Sequence, residues 1–264
     1  MWSYSYLVNA LLGAVLSGLA LAVFAPFVTL RRISYLGEAL SHIAFAGIAI
    51  SLLMGIALTW GTLIFVIGIA LAINWLSRRF KMQEANTITI FLSVSMALGI
   101  ILISASKNYS FDLSSYLFGN VLLISAGEVW ALLILGLLNL AFVLVFYKEL
   151  FYLCYNPEMS RVFRIRTRLV NNLFMILLAA NIVINLKSAG IILVTAQLIL
   201  PAVIAFNIAR SLPRAIILAI LVSIIAALAG FALSFRLNIP TGATIVLLEA
   251  LLYVFSLGAK RRNA

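Results

Sequence analysis

A single cysteine, Cys154, stands in 264 residues, which excludes an intrachain disulfide. Acidic residues are scarce too: seven Asp and Glu face 18 Lys and Arg, and charged residues make up only 9% of the chain. So little charge, at a mean hydropathy of +1.21, excludes a soluble globular domain and leaves a polytopic membrane protein. No Gln-, Ser- or Pro-rich linker divides the apolar runs, so residues 1–264 read as a single transmembrane domain. The N-terminus lacks a basic n-region and a small-residue cleavage site, so the first apolar run is expected to stay as a helix. No Gly-rich Walker-type lysine motif occurs, and the chain is therefore not expected to be an enzyme that hydrolyses ATP itself.

What is present is a series of apolar runs, each close to the roughly 20 residues that cross a bilayer. They predict an all-α fold with about nine spans, near 5–30, 35–56, 58–76, 87–106, 128–147, 169–185, 190–209, 215–235 and 242–257. The net charge of +11 is distributed as a topology signal, and no nucleic-acid partner is expected. Alternate loops hold 15 basic residues on one side, from Arg31 and Arg32 to Lys260, Arg261 and Arg262, against Lys107, Lys187 and Arg236 on the other. The positive-inside rule then puts the N-terminus outside and the C-terminus in the cytoplasm. Two segments are not simple spans. Residues 107–127 start polar and turn apolar too briefly to cross, which predicts a short external or re-entrant helix. The loop 148–168 is the longest cytoplasmic one and strongly basic. In it Asn156, Pro157 and Glu158 form a helix-start signal, ahead of Met159, Ser160, Arg161, Val162 and Phe163. A short amphipathic helix is expected there, lying in the headgroups or docking a cytoplasmic partner.

Glu38 and His42 carry the chemistry. His42 is the lone histidine, and both residues sit in an apolar stretch where an ionisable group costs roughly 2.5–3.5 kcal/mol and marks a functional site. At i and i+4 they share one helix face, so a carboxylate and an imidazole can reach one point and form half of a metal site. The bland alternatives are a Glu38 that snorkels toward Arg31 and a hydrogen-bonded structural His42. Weaker metal candidates are Glu249, mid-span in the last run, and the i, i+4 pair Asn181 and Asn185, although asparagines between helices more often bond across a bundle. Pro201 is expected to kink its helix.

Taken in order, the stretches Gly37 to Gly47, Tyr116 to Leu122, Tyr155 to Arg164, Gly190 to Ala205 and Pro240 to Gly242 resemble the membrane permeases of ATP-binding-cassette (ABC) importers for zinc, manganese and iron. Gly37, Glu38, Leu40, His42 and Gly47 follow a basic pair as in that family. Tyr116 to Leu122 and Tyr155 to Arg164 are similar to two further family stretches. The run through Gly190, Pro201, Ala202 and Ala205 is another, and Pro240, Thr241 and Gly242 look like its entry to the last helix. Departures are Glu38 for the commoner Asp, Asn156 for Asp, Ser160 for Ala and Arg164 for Gly.

The resemblance implies a permease in a bacterial inner membrane that works as a homodimer surrounded by lipid. Two cytoplasmic ATP-binding subunits would drive it, and an external metal-binding protein would feed it. Residues Asn156 to Phe163 would couple it to the ATPase. No permanently bound cofactor is implied, and the divalent ion is cargo: zinc is slightly favoured over manganese or iron because the stretch after His42 lacks a Leu-Pro-Gly. An ion-coupled carrier acting alone and a permease for an iron chelate stay open. A metalloenzyme would need more histidines than one.

Overall fold

The structure, a computed structural model, describes residues 5–105, 119, 121, 124–155 and 167–263. Residues 156–163, expected to couple to an ATPase, and most of 107–127 lie outside the described residues. What is described is helical: α1 (Ser5–Ala22), α2 (Ala25–Leu30), α3 (Ser34–Met54), α4 (Leu58–Arg79), α5 (Glu84–Ala105), α6 (Ala126–Val145), α7 (Tyr147–Tyr155), α8 (Thr167–Gln197), α9 (Leu200–Ile208), α10 (Leu212–Leu237) and α11 (Thr241–Asn263). The all-α polytopic class is as expected.

Local chemistry sets the ends of these helices. Gly55 stops α3 in the left-handed conformation, its N–H donating to Leu52 and Ser51 carbonyls. Ser125 and Glu128 form a reciprocal capping box, which starts α6 at Ala126, two residues ahead of the expected span. Pro201 does not kink a helix. It lies in the first turn of α9, where a missing N–H loses no hydrogen bond. Pro213 plays the same part in α10, which ends at a left-handed Asn238.

Eight apolar stretches among the described residues are long enough to cross a membrane, and one of them, Thr167–Ile208, runs for 42 residues and takes in both the sixth and seventh expected spans. The break expected at 186–189 is found one residue on: two helices meet there across a kink. The kink is at Gly190, with φ 75° and ψ 166°, a region closed to residues with a Cβ. Gly119, also at positive φ, brings its own backbone against Ala189 and Gly190, leaving no space for a side chain.

The described chain divides into two compact units. In the first, residues 1–32, 114–147 and 185–264, α1 packs on α6 and α10, while α9 packs on α2, α10 and α11. Two buried polar pairs in this unit bond to each other: Ser223 Oγ donates to Gln197 at 2.7 Å and Asn207 Nδ2 to Ser256 at 2.9 Å. In the second unit, residues 33–113 and 148–184, α3 packs on both α4 and α5. The outer faces of α4 and α5 expose Trp60, Ile64, Trp75, Ile90 and Ile101, the apolar coat that lipid solvates.

Candidate metal-passing stripe on α3

Helix α3 is buried on nearly every side. Leu36, Gly37, Ala39, Leu40, Ser41, Ile43, Ala44, Ala46 and Gly47 all lie inside. Small residues let neighbours approach closely: Gly47 meets the backbone of Thr62 on α4, and Gly99 of α5 meets Ala46. Ser41 and Ser51 donate to carbonyls four residues back, Gly37 at 2.9 Å and Gly47 at 2.6 Å, which removes two hydroxyls from competition for a ligand.

One stripe of this helix stays open. It runs through Tyr35, Glu38, His42 and Phe45, spaced three or four residues apart; Tyr35 and Glu38 are exposed, His42 and Phe45 half-buried. Every ionisable side chain of α3 lies on it. Among the described residues neither Glu38 nor His42 makes a hydrogen bond or an ion pair. Carboxylate and imidazole are thus both uncommitted and on one face, about one turn apart. Together they supply one nitrogen and up to two oxygens, a donor set that zinc, manganese and ferrous iron all accept. No third His, Cys, Asp or Glu joins them in a group among the described residues of this chain.

The weaker candidates sit differently. Asn181 is buried on α8 and turns its amide onto its own helix, donating to the Leu177 carbonyl at 2.7 Å. Asn185 is buried as well, and its carbonyl receives the Ser188 hydroxyl at 3.1 Å. Glu249 is wholly buried in α11 of the other unit.

Sequence reasoning missed an amide chain in the second unit. Asn171 Nδ2 on α8 donates to Asn74 Oδ1 at 2.6 Å, and Asn74 Nδ2 donates to Asn172 Oδ1 at 2.6 Å. It ties α4 to α8, close to Arg78 and Arg79. Three asparagines in otherwise apolar spans were the available signal. Also unforeseen is the ion pair of Lys187 with Glu128 at 2.7 Å.

Comparison with known proteins places this architecture. The family model described as the ABC 3 transport family matches residues 3–260. The chain belongs to that family. It is 34% identical over 254 residues to the manganese transport system membrane protein MntC of Halalkalibacterium halodurans, covering 96% of this chain and 87% of MntC. To the chelated iron transport system membrane protein YfeD of Yersinia pestis it is 32% identical, covering 97% and 86%. Among solved structures, PsaBC from Streptococcus pneumoniae in complex with Fab matches with a TM-score of 0.83 at 30% identity, over 96% of this chain and 91% of that one.

Proposed function

We propose that this chain is the membrane permease subunit of an ATP-driven importer that carries a divalent transition-metal ion into the cytoplasm. One observation supports the reading above others: the sole open stripe of a buried helix holds all of that helix's ionisable side chains, Glu38 and His42 foremost, and leaves both uncommitted. A twofold pair of subunits would bring two imidazoles and two carboxylates, enough for four ligands around one passing ion. Uncommitted, partly open ligands suit transient binding, because an ion that is to leave again must not be caged.

Energy for the cycle would come from two cytoplasmic ATP-binding subunits, docked on the 148–168 loop at Asn156 to Phe163, and an external metal-binding protein would deliver the ion. The surrounding membrane is a bacterial plasma membrane, with the N-terminus outside and the C-terminus in the cytoplasm. Alternating exposure of the stripe to either side would move the ion. Manganese is the ion favoured by the name of the MntC relative, whereas the sequence alone leaned slightly to zinc. An imidazole beside a carboxylate serves either.

The test is ATP hydrolysis by the reconstituted complex with manganese, zinc and ferrous iron offered in turn. Stimulation by one free ion supports the reading and names the cargo. Transport by the permease without any co-purifying ATPase would refute it. Stimulation confined to an iron chelate would replace ion with chelate, as the YfeD relative's name allows.

A further inference from the structure

Glu249 is sealed inside the first unit, and neither of its carboxylate oxygens has a hydrogen-bond partner among the described residues. Two contacts fix its level on the neighbouring helix. Ser234 of α10 shares a 2.8 Å hydrogen bond with Thr241 of α11, and one turn on, Gly230 lies against Ile245, so that a Cβ there would stand 3.0 Å from the Ile245 Cα. Each step of four residues down α10 matches four up α11. The next step pairs Ala226 with Glu249 by register. Ala226 and Ala227 are buried and offer only methyl groups.

Among the described residues of the helices packed on α11, no cation stands at this level. The helices packed on α11 are α9 and α10. Helix α9, Leu200–Ile208, has no titratable residue, and α10 has only Arg214 and Arg236, which lie 12 (226 − 214) and 10 (236 − 226) residues from Ala226. At 1.5 Å per residue these are about 18 and 15 Å away along the axis. On α11 itself the nearest titratable group is Tyr253, one turn on. The buried polar pairs of this unit, Ser223 with Gln197 and Asn207 with Ser256, are bonded to each other. An ionised carboxylate here would have nothing to offset its loss of water, whereas a neutral acid carries no such charge.

We propose that Glu249 is a proton-binding site: it holds a proton while α9, α10 and α11 are packed together, instead of serving as a metal ligand. The inference rests on the packing of this unit alone and stands whether or not the chain imports metal. A hydrophobic carbodiimide tests it, because away from water the carboxyl itself must supply the proton that starts the reaction. The acid's O–H adds across one C=N bond, the proton goes to nitrogen, and the O-acylisourea rearranges to a stable N-acylurea with no atom lost.

The expected result on the intact permease in its membrane at neutral pH is N-acylurea at Glu249 by peptide mass analysis. A water-soluble carbodiimide with an added amine should modify Glu38 and spare Glu249. Infrared spectra should show a protonated carboxyl C=O band that E249Q removes; the labelling on the natural chain needs no variant to fold. No adduct at Glu249 together with no band lost in E249Q would overturn the proposal. So would labelling that manganese or zinc ions suppress, since the carboxylate would then hold a metal, and so would ready modification by the water-soluble reagent.

Discussion

Glu38 and Glu249 are both glutamates inside apolar helices, and both lack a partner among the described residues, yet the packing around them is opposite. Glu38 is exposed on the open stripe of α3, one turn from His42, while Glu249 is sealed between alanine-bearing turns of α10 and α11. An unpaired carboxylate that reaches open space can stay charged and meet a cation. One that is closed off has only a proton available to it. Residue type alone does not divide the two roles; burial does.

The substitution with the largest expected effect on this contrast is His42→Ala, which should abolish metal uptake while membrane assembly and ATPase association persist. Glu38→Gln, which removes charge and keeps shape, should reduce uptake severely, and Glu38→Asp should retain it, because the shorter acid still presents oxygen ligands. The same Gln change at Glu249 should leave the thermal midpoint of the purified permease nearly unmoved, since a neutral amide replaces a neutral acid. If the two Gln variants behave alike in both assays, the contrast fails.

Packing supplies smaller effects. Gly230→Val would drive α10 away from the backbone of Ile245 and should cost about 1–3 kcal/mol of stability. Asn74→Leu strands the amides of Asn171 and Asn172 and should cost about 1–3 kcal/mol, read as a lower unfolding midpoint in detergent. Lys187→Met breaks an ion pair whose lysine is 65% exposed, so its effect should stay within about 1 kcal/mol and shrink further with salt. A large loss there would mean that this pair holds a moving element in place.

Much of this was legible in the chain. Hydropathy located the spans to within a few residues because length and composition are what a bilayer selects. The i, i+4 spacing put Glu38 and His42 on one face, and the structure adds that this face is open while most of the rest of α3, short of its exposed end at Leu53 and Met54, is covered. The apolar pattern separates the sixth and seventh spans at 186–189, next to the actual kink, but the form of that joint depends on the backbone angles of Gly190. The amide chain through Asn74, Asn171 and Asn172 joins residues nearly a hundred positions apart, and no local pattern announces which asparagines will meet. Glu249 stood out as an intramembrane acid, but its seal of small residues depends on the register of α10 against α11.

Uptake of radioactive manganese into vesicles holding the permease with its ATPase, compared between the natural chain and His42→Ala, bears most directly on the stripe of α3. Uptake should disappear in the variant while the complex still assembles and binds ATP. Undiminished uptake by the assembled variant would contradict the account.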